Sequence, residues 1–181
     1  MTWTDVSACR ENLLTTMPGR AAFRRLRTIG LRGNGLDAAA LAPFASIDGS
    51  SAIEALDVEN NPLGDRCGAL LAHAFRGLTS LNASSTQLRD AGATTLAERE
   101  GMHLRLAVRD NGIGYDGARA LIDALRAGRL SRIDLRRNPI FDTASAPRRA
   151  VAQSLGLPDD RVLLGLSRGR YSLSASDVEE R

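Results

Sequence analysis

Five stretches of this 181-residue chain repeat one pattern, and that pattern constrains the fold more than any other feature. Each copy fits LxxLxLxxNxL, and the five copies align without a gap. Self-similarity at a period of about 20–50 residues is the signature of a solenoid, in which each repeat stacks on its neighbours. A stacked array is therefore predicted instead of a centrally packed domain. The copies, which we call repeats 1 to 5, occupy residues 26–36, 53–63, 78–88, 103–113 and 130–140.

Within each copy, the alternation around Leu-x-Leu places two apolar residues on one face of a short strand. One strand per repeat must then stack in parallel. The Asn that follows leaves the strand on a turn, where its amide can bond backbone groups that the strands no longer satisfy. We expect a ladder of these residues, in which the Thr of repeat 3 serves less well. The column consists of Asn34, Asn61, Thr86, Asn111 and Asn138.

A helical stretch follows each turn, most clearly at residues 64–75 and 114–125. Asp65 and Asp116 are predicted to cap these two helices. Leu71 with Phe75, and Leu121 with Leu125, stand four residues apart and should face the strands. Small residues are expected to let neighbouring helices approach closely. They are Gly68, Ala69, Gly92, Ala93, Gly117 and Ala118.

Two repeats depart from the pattern. Pro43 falls inside the helix of repeat 1 and should break or shift it. Repeat 3 is the least regular, with Thr86 for Asn, Ala83 for a large strand residue, and Glu100 where neighbouring repeats have Phe or Leu. We expect a short helix in repeat 3 and the lowest local stability around it.

Residues 23–155 resemble leucine-rich repeat proteins of the ribonuclease-inhibitor type, whose repeats alternate a strand with a full helix. GAxxLA phrases in residues 68–71, 92–97 and 117–122 also resemble GALA-type repeats of effectors from plant-pathogenic bacteria. The first resemblance implies an α/β solenoid, a right-handed βα horseshoe segment with a parallel sheet on the concave face and helices on the convex face. It also implies that the chain is a binding scaffold and not an enzyme.

The ends of the chain do not follow the repeat. Residues 1–22 contain an amphipathic phrase that predicts a helical N-terminal cap over the first strand. Residues 23–155 form the repeat array. Residues 156–181 are predicted to hold a capping strand at 161–166, followed by a polar, mobile tail.

The basic residues are unusual because all 24 are Arg and none is Lys. A GC-rich genome would favour Arg, whereas a bacterial protein acting inside a eukaryotic host would benefit from having no Lys to accept ubiquitin. The two explanations are compatible. No stretch reaches the roughly 18 apolar residues needed to span a bilayer, and the N-terminus lacks the layout of a secretory signal. With two cysteines in the chain, we expect a cytoplasmic protein, with delivery into a host cell as the alternative.

The motifs that carry chemistry elsewhere have structural explanations here. DNGIG at residues 110–114 looks like the adenine-binding element of one ATPase group, but its Asn is the repeat Asn and no second Gly-rich segment accompanies it. Cys67 and His73, six residues apart on one helix, would lie on different sides. The histidines and cysteines show no metal-binding spacing. No catalytic residue, cofactor or metal is predicted, and the chain is predicted not to be an enzyme.

The concave face of the sheet, which is the face away from the helices, is the remaining candidate. Its charge is polarised, acidic in repeat 2 and rich in Arg in repeats 4 and 5. We predict a protein partner whose acidic segment binds the Arg-rich end of this face. Asp57 and Glu59 would bind the basic end of the same partner. Simple solvation of these charges, action as a bacterial effector, and nucleic-acid binding by the Arg-rich repeats are the alternatives, the last weakened by the lack of interleaved aromatics. The predicted contact residues are Arg32, Asp57, Glu59, Asn82, Ser84, Arg105, Arg109, Arg132, Asp134 and Arg136.

Overall fold

Strands and helices alternate along the chain in a computed structural model, which describes residues 2–3, 27–45, 52–101, 103–142, 148–157 and 160–164. The strands in these ranges are β1 Thr2–Trp3, β2 Thr28–Gly30, β3 Ala55–Asp57, β4 Ser80–Asn82, β5 Leu104–Ala107, β6 Leu130–Asp134 and β7 Val162–Leu163. The helices are α1 Ala38–Ala45, α2 Arg66–His73, α3 Asp90–Ala97, α4 Tyr115–Arg126 and α5 Arg148–Ser154. The predicted N-terminal helix and the C-terminal tail beyond residue 164 lie outside the described residues.

The strands form one parallel sheet in which each strand pairs with the next in the sequence, from β1 to β7. Equivalent positions stack, so that Ile29 lies beside Leu56 and Leu56 beside Leu81. This order follows from the sequence, because each repeat has one strand and one return helix. The predicted α/β solenoid is confirmed. The strand predicted near residue 161 is present as β7 and extends the sheet beyond repeat 5.

The core is a continuous apolar layer between the sheet and the helices. All ten predicted strand residues are buried, with 3% exposure or less. Leu71, Phe75, Leu121 and Leu125 are buried from the helix side, as predicted. The ten strand residues are Ile29, Leu31, Leu56, Val58, Leu81, Ala83, Leu106, Val108, Ile133 and Leu135.

The predicted Asn ladder is present and joins repeat 2 to repeat 1, repeat 4 to repeat 3, and repeat 5 to repeat 4. The side-chain amide of Asn61 donates to the carbonyl oxygens of Leu31 and Val58, both at 2.8 Å. Its Oδ1 accepts the N–H groups of Asn34 at 3.0 Å and Leu36 at 2.9 Å. Asn111 and Asn138 bridge the following repeats in the same way.

Thr86 interrupts this ladder between repeats 2 and 3. Its hydroxyl donates to Ala83 in its own repeat at 2.8 Å and lies 3.3 Å from Asn111 Oδ1 in the next repeat. Among the described residues it makes no side-chain hydrogen bond to repeat 2. The prediction that Thr serves less well than Asn is confirmed, because the Asn side chains bond the preceding repeat and the Thr86 side chain does not.

The helix starts are held by aspartates in a way that differs from the prediction. Asp65 makes no side-chain capping bond within α2. Its Oδ1 instead accepts N–H groups at the start of α3, from Arg89 at 2.6 Å and Gly92 at 3.1 Å. Asp90 bonds the start of α4 at the same two distances, so Asp90 and not Asp116 caps that helix. Side-by-side helix N-termini explain the shift, since one carboxylate reaches the free N–H groups of the next helix.

The glycines of the helices are required by this contact. A Cβ atom on Gly92 would lie 2.7 Å from the Asp65 Oδ1, and one on Gly117 would lie 2.6 Å from the Asp90 Oδ1. A Cβ atom on Gly68 would collide with the carbonyl oxygen of Gly92. The predicted close approach of neighbouring helices is therefore confirmed.

Two expectations about irregular helices are wrong. Helix α1 continues through Pro43 to Ala45. Because the proline lies two residues from the helix end, its missing N–H removes one helical hydrogen bond just before the helix would stop. Helix α3 has eight residues, as α1 and α2 do, although α4 has twelve. Its length is thus ordinary for this chain.

Repeat 3 nevertheless contains a buried charge that the sequence did not reveal. Arg99 is only 1% exposed, whereas Glu100 points outward and pairs with Arg76 at 3.4 Å. The Arg99 Nη2 donates to the carbonyl oxygen of Leu78 at 3.3 Å, but Nε and Nη1 have no partner in the part of the chain described. Burial lowers the pKa of this guanidinium. Arg99, and not Glu100, takes the interior position after the helix.

Candidate functional site

The concave face carries three rows of side chains that run across the repeats. The first two rows follow from strand pairing, and the third continues them just past the strand ends through backbone hydrogen bonds such as Gly33 N–H to Glu59 O at 2.9 Å. The first row is Thr28, Ala55, Ser80, Arg105 and Arg132, and the second is Gly30, Asp57, Asn82, Ala107 and Asp134. The third is Arg32, Glu59, Ser84, Arg109 and Arg136.

In the N-terminal half of this face, formed by repeats 1 to 3, the two charged residues of the third row pair with each other. Arg32 pairs with Glu59 at 3.1 Å, and the Asn82 amide donates to the other Glu59 oxygen at 2.9 Å. The Glu59 side chain is only 13% exposed. Asp57 accepts the N–H of Glu59 at 3.0 Å and so supports its own turn. Glu59 therefore has both carboxylate oxygens engaged before any partner arrives.

Ser84 was predicted to be a contact residue, but the structure buries it. It is 4% exposed, and its Oγ accepts the N–H of Arg109 at 3.2 Å. The side chain is small enough to be covered by its neighbours. Ser84 therefore helps to hold the strand ends together and offers almost no contact area.

In the C-terminal half, formed by repeats 4 and 5, one ion pair lies within a single repeat. Arg136 binds Asp134 through two hydrogen bonds, from Nε at 2.8 Å and Nη2 at 2.6 Å. Partial burial by itself raises the pKa of Asp134, but the hydrogen bonds and charge of Arg136, with the charge of Arg109, outweigh it and lower the pKa. The pKa of Arg136 is raised by the same contact.

Arg105, Arg109 and Arg132 differ from these paired groups. None of the three has an ion-pair partner within the described residues. In repeats 4 and 5 the rows hold four arginines and one aspartate, a net charge of +3. In repeats 1 to 3 they hold Arg32 against two acidic residues, a net charge of −1. On the concave face, arginines without an ion-pair partner among the described residues therefore lie only in the C-terminal half.

Two hollows lie near these residues. One, of about 260 Å³, opens on the concave face and is lined by Ser80, Asn82, Arg105, Ala107, Arg132 and Asp134, among others. The other, of about 420 Å³, lies at the loop edge and includes Asp110, Asn111 and Gly112 of the DNGIG phrase. Asn111 is held in the ladder, and Asp110 accepts the hydroxyl of Ser85 at 3.2 Å. These contacts support the structural interpretation of that phrase.

The remaining reactive groups do not form a site. Cys67 is buried, and burial together with the charge of Asp65 raises the pKa of its thiol to about 12. His73 is exposed at the end of the same helix. No group of three or more His, Cys, Asp or Glu residues in the described ranges could hold a metal ion. None of the helices in those ranges is long and apolar enough to cross a membrane.

Comparison with known proteins agrees with the geometry. A family profile described as "Leucine Rich repeat" matches residues 102–121, which contain β5 and the first half of α4. No curated protein matches the chain. The fold is that of a leucine-rich repeat solenoid, with one strand and one helix in each repeat. Such repeats generally serve as non-enzymatic scaffolds that bind other proteins.

Proposed function

We propose that this chain is a non-enzymatic scaffold that binds an acidic segment of a partner protein through the C-terminal half of its concave face. The proposal rests on a difference in ion pairing among the arginines of the concave face. Arg105, Arg109 and Arg132 have no ion-pair partner among the described residues, whereas Arg32 and Arg136 are already engaged. A guanidinium group presents five N–H donors in a planar fork that matches a carboxylate.

The composition of the surface sets its expected binding behaviour. None of the fifteen positions in the three rows is Trp or Tyr, the residues that most often anchor protein interfaces. Binding through exposed charges weakens as salt screens them, over about 8 Å at physiological ionic strength. We therefore expect an interaction of modest affinity with strong salt dependence.

Two double charge reversals test this assignment by capture from native lysate. Arg109→Glu with Arg132→Glu alters the C-terminal half, and Arg27→Glu with Arg32→Glu is the control with the same change in net charge. The first variant should lose captured acidic proteins by about tenfold or more, equivalent to ~1.4 kcal/mol. The control should capture them as the unaltered protein does, and both variants should keep their circular dichroism spectrum.

Equal capture by all three proteins would place the interaction elsewhere on the molecule. Loss of capture by the control alone would move it to the N-terminal half. Capture should be quantified at two salt concentrations, because the proposed contact is electrostatic and must weaken as salt rises.

The other functional predictions from the sequence stay predictions. Delivery into a host cell is favoured by the absence of Lys and the GAxxLA phrases. Nucleic-acid binding is favoured by the Arg-rich repeats, but base stacking normally requires aromatic side chains that the three rows lack. An acidic protein segment needs only the guanidinium groups that are present.

A further inference from the structure

The two arginines of the first row lie side by side on neighbouring strands, next to an irregularity in the sheet. Leu104 pairs with Leu130, but Arg105 pairs with Arg132, so Ser131 is an extra residue in β6. The Ser131 hydroxyl donates to the carbonyl oxygen of His103 at 3.0 Å. Bulges of this kind re-aim side chains and are frequent beside functional sites. Here the bulge lies immediately before the pair, and Arg132 is directly beside Arg105 in the regular register that continues through Ala107 and Asp134.

This juxtaposition is unfavourable for the isolated protein. Neighbouring strands lie about 4.8 Å apart, and like charges directly opposite one another are destabilising. In the same row, the preceding three positions are neutral, with Thr28, Ala55 and Ser80. An anion held between the two guanidinium groups would remove the repulsion and supply each with an acceptor.

The hollow of about 260 Å³ lies at this pair. Ala107, which follows Arg105 by two residues on the same face, contributes only a methyl group to its lining. Asn82 and Asp134 flank Ala107 on the neighbouring strands. With about 30 Å³ per water molecule in the liquid, the hollow has room for a carboxylate and its short stem.

We propose that this hollow receives the carboxylate side chain of a Glu or Asp residue from the partner, between Arg105 and Arg132 and over Ala107. The inference rests on the proposed function and names the group that the surface recognises. A carboxylate has lone pairs for both guanidinium groups. Its negative charge would lie between two positive groups, while Asp134 in the wall of the hollow is already paired with Arg136.

The probe is a hexaglutamate peptide with blocked ends, with hexaglutamine as its uncharged counterpart. Ala107→Leu fills the hollow and keeps every charge, and Ala55→Leu adds the same bulk to the first row in repeat 2. Fluorescence anisotropy at low salt should show at least about tenfold weaker hexaglutamate binding for Ala107→Leu. Ala55→Leu should bind as the unaltered protein does, and hexaglutamine should not bind.

Arg132→Gln separates failure of this inference from failure of the proposed function. Weak binding by Arg132→Gln with normal binding by Ala107→Leu would overturn the hollow and leave the Arg surface in place. Normal binding by both variants, or no hexaglutamate binding by the unaltered protein, would overturn both proposals. A single-stranded oligonucleotide that binds as tightly as hexaglutamate would also overturn them and assign the surface to nucleic acid. Thermal melting checks that Ala107→Leu is folded, and Ala107→Thr, a smaller change, must weaken binding in the same direction.

Discussion

The two halves of the concave face differ in net charge and in how their charged residues pair. In the N-terminal half, Arg32 from one repeat pairs with Glu59 from the next, and Asn82 from the third completes the contact. In the C-terminal half, Arg105 lies beside Arg132, and Arg109 occupies the same row as Arg136. Stacked repeats place equivalent positions side by side, so a row with opposite charges neutralises itself and a row with like charges cannot.

The largest expected effect on stability concerns Glu59. Replacing Glu59 by Ala removes a mostly buried carboxylate, its ion pair with Arg32 and a hydrogen bond from Asn82. We expect a loss of about 1–2 kcal/mol in the free energy of unfolding, because hydrogen bonds to charged groups contribute about 1.5–3 kcal/mol and part of the ion pair is exposed. Urea denaturation monitored by circular dichroism measures the change.

Arg132→Gln is the matched substitution in the other half. It should change the unfolding free energy by no more than about 0.5 kcal/mol, with a gain at low salt as repulsion from Arg105 is relieved. If Arg132→Gln destabilised the chain as much as Glu59→Ala does, the distinction between a paired and an unpaired half would be wrong.

A smaller effect is expected at Asp134, the one paired acid of the C-terminal half. Its pKa in the folded chain is lowered, so the ionised form stabilises the fold above the unfolded pKa of about 3.9. That contribution is lost as the pH falls through the folded pKa. The stability difference between the unaltered protein and Asp134→Asn should be constant from neutral pH to about pH 5 and shrink below about pH 4.

Because Arg136 is partly exposed, the difference at neutral pH should stay below about 1 kcal/mol. Urea titrations at several pH values give the profile, and Asp57→Asn serves as the comparison within the second row. A difference that grew as the pH fell would contradict the lowered pKa of Asp134.

The sequence predicts most of the fold because the positions of Leu and Asn in each repeat depend directly on where its strand and turn lie. The Leu-x-Leu positions identified the buried strand residues, and the Asn column predicted the ladder and its weak point at Thr86. Both depend on local periodicity, which a single sequence contains. Helices were predicted in the correct places, although their bounds moved by one or two residues.

Contacts between repeats were harder to predict, since they depend on how one repeat is offset from the next. Asp65 was expected to cap its own helix but bonds the following one, because the helix N-termini lie side by side. The bulge at Ser131 and the buried Arg99 have no local sequence signal. The same limit applies to the candidate site, where ten residues were predicted from strand alternation but their pairing was not.

The most direct test of the Arg surface is chemical-shift mapping by NMR of the 19.3 kDa chain titrated with the blocked hexaglutamate peptide. Backbone amide and arginine Nε signals should shift most in residues 104–109 and 130–136 and remain near their starting positions in residues 28–32 and 55–59. The shifts should disappear as salt is raised. Shifts centred on residues 28–59, or on the helices, would contradict the assignment of binding to the C-terminal half of the concave face.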